Sequence, residues 1–292
     1  MPPRYKDPVY RPPSEAMSLL IQVSFSCPYN RCTFCGMYKG HKFGIRPIEE
    51  VLEDIETCGQ EYGNSVRTVF LPDGNSIFLP TDDLVRICEA IVDAFPGLER
   101  ITSYGSARFV VKKTAEEWKR LRGAGLSRIH MGIESGDPET LKKVKKGATR
   151  ETFIEAARLL HEADFEISEY ILIGIAGPER SREHAVASAT LLNEVRPHFV
   201  RLRTWVPVPA APMYEEYESE EFRLLDPFEA LQEMRTLIEN LECETLLLTD
   251  HVSNFAAING KIPDDKSDML AAIEEALKLD RSDFRPDIIR RL

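Results

Sequence analysis

Positive charge is in short supply in this sequence. Its 37 Lys and Arg stand against 48 Asp and Glu, a formal net charge of −11. Broad binding to nucleic acid or to an anionic membrane needs a positive field to offset phosphate, so the balance argues against both. A local basic patch is still compatible with it. Cysteine is also scarce: six in 292 residues is too few for a disulfide scaffold. No apolar run approaches the ~18 residues of a spanning helix. No basic segment followed by an apolar run opens the chain, so neither membrane anchor nor secretory leader is read. Internal repeats are missing, as are low-complexity tracts outside a proline-rich start (Pro2, Pro3, Pro8, Pro12, Pro13). These absences predict a soluble protein of a reducing, cytoplasmic compartment. What is present is ordinary globular composition, 43% hydrophobic, in a length that suits one large domain or two modest ones.

Apolar runs of strand character at 17–25, 66–71, 100–105, 127–134, 166–175 and 198–206 alternate with helical patterns at 47–60, 81–94, 114–123, 152–163 and 180–194. Thr81 reads as an N-cap. Asp137-Pro138 reads as an N-cap with proline at N1, and Gly147 as the end of that helix. Six strands separated by helices predict parallel pairing with right-handed crossovers. A doubly wound sheet fits the same pattern. A partial (β/α)6 TIM-like barrel is the preferred α/β architecture because residues of chemical interest recur after strand ends. The expected organisation is a proline-rich arm at 1–16, the barrel at 17–207 and a short α/β cap or extension at 208–292. That extension would hold helices at 227–240 and 265–278 and a strand at 243–249. The acidic run EEYESEE (215–221) reads as solvated surface.

The strongest signal is CPYNRCTFCG, which places Cys27, Cys32 and Cys35 in a C-x4-C-x2-C arrangement directly after the first strand. Three thiolates on a four-iron cluster leave one iron open to a small molecule, where four would close the coordination. Zinc is the rival: His41 could complete a Cys3His site, making the loop structural and the protein a binding or scaffolding module. Cys58, Cys88 and Cys243 lack tight spacing and read as buried thiols.

Here the sequence resembles the radical S-adenosylmethionine (SAM) superfamily over roughly residues 17–207. The family's usual spacing is C-x3-C-x2-C, so the first gap carries one extra residue; Phe34 matches the aromatic position before the third cysteine. The resemblance implies a [4Fe–4S] cluster on Cys27, Cys32 and Cys35. SAM bound there would be cleaved to methionine and a 5′-deoxyadenosyl radical, which abstracts hydrogen from a substrate. It also assigns residues to SAM. Asp73-Gly74-Asn75 stands where the family commonly has a glycine-rich GGE-like motif that meets the amino group. Glu134 in GIESG matches a polar contact to the ribose or amino group. Lys146 lies where close relatives use Arg toward the carboxylate, and a solvated lysine face is the other reading. In LIGIAG, Gly174 and Gly177 would admit close backbone, Leu172 and Ile175 would flank adenine, and Tyr170 would face the ribose.

Arg201 and Arg203 alternate on the sixth strand. Inside a barrel they would bind a substrate carboxylate or phosphate; outside they would be ordinary surface cations. Asp250, His251, Asn254 and Lys261 are polar candidates to line a substrate site. The GIESG-to-LIGIAG region followed by PVPAAPMYEE looks most like the Elongator-like and coproporphyrinogen-dehydrogenase-like branch. The resemblance implies reduced flavodoxin or ferredoxin as electron donor. The acidic surface favours a small-molecule substrate, with RNA or a peptide as the alternatives within the class. Twenty-six residues before Cys27 lead to the expectation of no N-terminal cobalamin domain, and no further cysteine cluster is expected.

Overall fold

The computed structural model describes residues 4–290. The first residues of the expected arm, with Pro2 and Pro3, lie outside the described residues, as do the last two of the expected extension. In chain order the strands are β1 (Leu19–Leu20), β2 (Ser24–Phe25), β3 (Gly44–Ile45), β4 (Thr68–Leu71), β5 (Arg100–Tyr104), β6 (Leu126–Glu134), β7 (Glu166–Ile173), β8 (Phe199–Thr204), β9 (Thr245–Leu248) and β10 (Gly260–Ile262). The helices are α1 (Ile48–Tyr62), α2 (Thr81–Ala94), α3 (Ala107–Val110), α4 (Ala115–Gly123), α5 (Pro138–Lys143), α6 (Arg150–Glu162), α7 (Ser181–Val195), α8 (Met213–Glu218), α9 (Pro227–Asn240) and α10 (Lys266–Ala276).

The chain divides into two compact units. The first comprises residues 1–30, 40–131 and 155–167. Its ladder is parallel, β1 to β4 (Leu19↔Val69), β4 to β5 (Val69↔Ile101) and β5 to β6 (Ser103↔Ile129). The run TVFL in β4 is apolar on both faces, as a parallel strand covered on both sides must be. Val51, Ile55 and Cys58 form the buried stripe of α1, and α1 packs on α2. A reciprocal capping box between Thr114 and Glu117 starts α4. The proline-rich arm is pinned at its end: Glu15 is fully buried, and its carboxylate meets His130 at 2.9 Å and the Ser18 hydroxyl at 2.6 Å.

The second unit comprises residues 31–39, 132–154 and 168–292. Here β7, β8 and β9 are parallel, with Tyr170↔Arg201, Leu172↔Arg203 and Val200↔Leu247, and β10 closes the edge antiparallel to β9. Helix α9 packs against α7 and α10. Asp137 caps α5 through the Thr140 N–H, with Pro138 behind it. Asp226 caps α9 with Glu229 as its reciprocal partner and Pro227 at N1. Parallel strands alternating with helices make a mixed α/β fold, the pattern expected of a partial barrel. No helix among the described residues is long and apolar enough to cross a membrane.

Several local expectations are corrected. The run 17–25 is two short strands: Ile21 still donates to Phe70, but β2 turns away to pair antiparallel with β3. Thr81 is the first helical residue of α2, not its cap; Pro80 holds the cap position and the Thr81 hydroxyl donates to Glu117 at 2.6 Å. Helix α5 ends at Lys143, before Gly147, because the Val144 N–H makes the last bond to Thr140 and Lys145 turns to φ 51°. The acidic stretch 215–221 is at the surface as expected, but its first residues belong to α8, which is anchored by buried Met213.

Candidate functional site

In the first unit, Cys27 follows β2 across Ser26, which takes φ 67° and donates its hydroxyl to the His41 carbonyl at 3.0 Å. The 73–75 turn lies against this segment. The Gly74 N–H donates to the Ser26 carbonyl at 3.2 Å, and a Cβ at Gly74 would sit 2.6 Å from the Cys27 Cβ. Only glycine permits that approach. Asp73 is fully buried and accepts from the Gln22 amide at 2.6 Å. Asn75 is fully buried too, yet neither its Oδ1 nor its Nδ2 has a hydrogen-bond partner among the described residues. A buried amide left unsatisfied costs about 1–3 kcal/mol per group, which makes it a candidate to meet something the chain itself does not supply.

In the second unit, Thr33 is fixed at both ends of its peptide, its N–H donating to Val144 at 3.0 Å and its carbonyl accepting from Met213 at 2.9 Å. This holds Cys32 and Cys35 half-buried. The Phe34 ring packs on a core of Val144, Ile175, Trp205, Met213 and Phe222, and the Phe34 carbonyl accepts from the Trp205 indole at 3.3 Å. Gly36 is held equally tightly, since a Cβ there would come within 2.7 Å of Val208.

Lys146 is not on a solvated face. Its ammonium meets Glu134 Oε1 at 2.9 Å and lies 5.8 Å from the Phe34 ring centroid. Burial alone would lower its pKa, but the Glu134 carboxylate and the Cys32 thiol outweigh it and hold the ammonium above its ordinary value. The Glu134 carboxylate folds back over Gly132, where a Cβ would lie 2.0 Å from Oε1. Glu134 itself takes φ 67°, in the left-handed region. Near this pair sits Glu169, 1% exposed, whose Oε2 has no hydrogen-bond partner among the described residues. Burial pushes its pKa up to about 8, with Lys146 pulling down and Glu134 pushing up.

The remaining strand-end residues divide. Tyr170 is buried, with the Arg203 guanidinium 4.8 Å from its ring centroid. Arg201 is 8% exposed and donates to the Ser168 hydroxyl at 3.2 Å, so it is no surface cation. Leu172 packs against the core that wholly buries Ile175. Gly174 (φ 83°) donates its N–H to Glu233 at 2.7 Å; Gly177 takes φ 73°. His251 binds the Ser253 hydroxyl at 2.8 Å, and burial, aided by Arg203, pushes its pKa down to about 4. Asn254 is wholly engaged by the scaffold: Oδ1 accepts from the Thr204 N–H and hydroxyl, while Nδ2 donates to the Leu202 and Thr249 carbonyls. Lys261 is exposed and pairs with Glu244 and Asp264.

Sequence reasoning missed Glu169, although a carboxylate amid the apolar run EISEYILIGI is a visible signal. It also missed the buried set that supports Gly174. Glu233 there accepts additionally from Ser181 at 2.5 Å, and His184 lies 3.4 Å from Glu233 and 2.7 Å from the Ser135 hydroxyl. These partners come from distant helices, and their spacing carries no motif.

Cys27, Cys32 and Cys35 differ in exposure from the other three cysteines. None of the six cysteines is in a disulfide. Cys27, Cys32 and Cys35 are half-buried and so accessible to a metal. In contrast, burial pushes the Cys88 thiol up to about 12 and Cys243 up to about 11. Among the described residues no three His, Cys, Asp or Glu side chains are gathered to close on one ion. The Cys3His alternative with His41 gains no support from the described residues.

Comparison with known proteins agrees. The family described as the radical SAM superfamily matches residues 21–191. The chain is 25% identical over 215 residues to an anaerobic magnesium-protoporphyrin IX monomethyl ester cyclase of Cereibacter sphaeroides, covering 73% of this chain and 34% of that protein. It thus spans about a third of that relative's length. In fold it is similar to coproporphyrinogen III oxidase of Escherichia coli (TM-score 0.57, 16% identity, 76% of this chain and 52% of that one). It is similar too to the methyltransferase TsrM of Kitasatospora setae, solved with cobalamin and a [4Fe–4S] cluster bound (TM-score 0.56, 20% identity, 70% and 39%). With the family matched over more than half its length, and the three cysteines inside that stretch, the chain belongs to the radical SAM superfamily.

Proposed function

We propose that this chain is an enzyme that reductively cleaves SAM and uses the resulting radical to abstract hydrogen from a small organic substrate. The observation that carries the reading is the C-x4-C-x2-C segment, whose three thiols are accessible while the other three are buried. Cys27, Cys32 and Cys35 would hold a [4Fe–4S] cluster, which when bound supplies the electron for carbon–sulfur cleavage. Asn75 offers one donor and one acceptor from a dry position, suited to the amino and carboxylate ends of SAM. Lys146 stays charged beside Glu134 and would neutralise a carboxylate, though without the two-pronged geometry of arginine. Glu134 would contact the ribose or amino group. The turn after β7, from Gly174 to Gly177, and Tyr170 with Leu172 would receive the nucleoside. We assign the electron to a reduced flavodoxin or ferredoxin and the protein to the cytoplasm, both by family resemblance.

The test is anaerobic reconstitution with iron and sulfide, followed by SAM and dithionite. The expected outcome is a brown protein that yields 5′-deoxyadenosine, with both colour and product lost in the Cys27→Ala/Cys32→Ala/Cys35→Ala variant. Product persisting in that variant would refute the assignment. A colourless protein holding one zinc that His41→Ala releases would replace the reading with a structural site.

A further inference from the structure

Within the second unit, the ends of β7 and β8, the segment 223–227, residues of 281–286 and Arg290 line a cavity of about 560 Å³. That is the size of sites for small organic molecules, ~300–1,000 Å³. Its wall reverses the charge of the chain: in a molecule of net charge −11, four arginines (Arg223, Arg281, Arg285, Arg290) face one acid, Asp226. Three of these charged groups are already committed. Arg223 grips Glu229 with two bonds of 2.7 and 2.8 Å. Arg290 donates to the Ser253 carbonyl at 2.8 Å and stacks 3.6 Å from the Phe255 ring centroid. Asp226 is the cap of α9, accepting the Glu229 N–H at 2.9 Å. Arg281 and Arg285 are exposed, and their side chains have neither ion pair nor hydrogen bond among the described residues. The rest of the wall is aromatic and aliphatic, with Trp205 and Phe284 nearly buried and Phe255 in edge contact with Phe284.

We infer that this cavity binds a small organic anion, a carboxylate or phosphate on a flat apolar body. The anion meets Arg281 and Arg285, whose planar forks match carboxylate and phosphate oxygens. The body lies against Trp205, Phe255 and Phe284. Gly174, at the turn that we propose receives the nucleoside, lines the same cavity. As the substrate of the radical chemistry, such a ligand rests on the function proposed above. As a bound anion it does not, and its test needs neither cluster nor SAM turnover, so the two readings can fail separately.

The probe is 1-anilinonaphthalene-8-sulfonate, followed by fluorescence on the full chain. One saturable site is expected, weakened at least about tenfold in Arg281→Ala/Arg285→Ala, the loss of charge-assisted bonds. If that variant melts lower than its parent, Arg281→Gln/Arg285→Gln retains the stems and serves instead. 2-Naphthoate and 2-naphthyl phosphate should displace the probe, while neutral 2-naphthylmethanol should not; whichever anion acts at lower concentration names the head group. Unchanged binding in the arginine variants overturns the inference. So does displacement by the neutral alcohol at the same concentration as by the anions. Displacement by SAM itself would overturn it too, making the cavity part of the cofactor's own site.

Discussion

Two fully buried asparagines serve opposite purposes in this protein. Asn254, in the second unit, makes all four hydrogen bonds its amide can form, and all reach the strand end at Leu202–Thr204 or the Thr249 carbonyl. Asn75, in the first unit, makes none with its side chain. Both positions read alike in sequence, as polar residues near strand ends. The difference teaches that burial alone does not identify a binding residue; what distinguishes one is a polar group whose bonding capacity the fold leaves unused.

The contrast breaks most directly at Asn254. Asn254→Ala should lower the unfolding free energy by about 3 kcal/mol or more in urea denaturation, since buried groups of β8 and of Thr249, just past β9, lose partners at once. A loss below about 1 kcal/mol would make Asn254 as dispensable to the scaffold as Asn75.

Next comes Gly74→Ala, which drives a methyl into the Cys27 backbone and should cost about 1–3 kcal/mol by overpacking. Iron content after reconstitution should fall with it. Full iron loading at unchanged stability would show that the close approach is not needed.

Asn75→Leu sharpens the comparison from the other side. Removing an unsatisfied amide should leave unfolding unchanged or raise it by up to about 1 kcal/mol in the ligand-free chain. SAM affinity of the reconstituted protein, by calorimetry, should fall about tenfold. A destabilisation equal to that of Asn254→Ala would abolish the distinction.

The smallest effect is in pH. Burial pushes Glu169 up to about 8 and Glu233 up to about 7, against an ordinary value of 4.5. The folded state therefore holds protons that the unfolded chain has released, and stability falls as pH rises through that window. Burial lowers His184 and His251 from 6.5 to about 4, and these two offset the two carboxyls at lower pH. The net fall should show between about pH 6.5 and 8. Melting temperatures of Glu169→Gln/Glu233→Gln should be flat there; a slope equal to the parent's would sink the assignment.

The contrast also marks how far the sequence could be read. Helix α9 matches its predicted span because Asp226, Pro227 and Glu229 write its start chemically, and Asp137-Pro138 does the same for α5. The alternating strands were legible for the same reason, as local patterns. Helix α8 was not, since EEYESEE is acidic throughout and only Met213 supplies a buried anchor. Nor was β10, whose three residues gain their strand form from pairing with β9. The pairing of His184 with Glu233, and the empty bonding capacity of Asn75, are properties of assembled neighbours and leave no trace in spacing.

Glu233 has one further consequence. It lies beyond residue 191, where the family match ends, yet its carboxylate holds the Gly174 N–H inside that match. Strand β8 and its partner β9 lie beyond that point as well. A fragment cut at 191 would expose the edge of β7 and release the turn at Gly174. The stretch that carries the family's signature is therefore not a piece that can be transplanted or expressed by itself. A chimera built on this chain must bring α9 along with the cysteines.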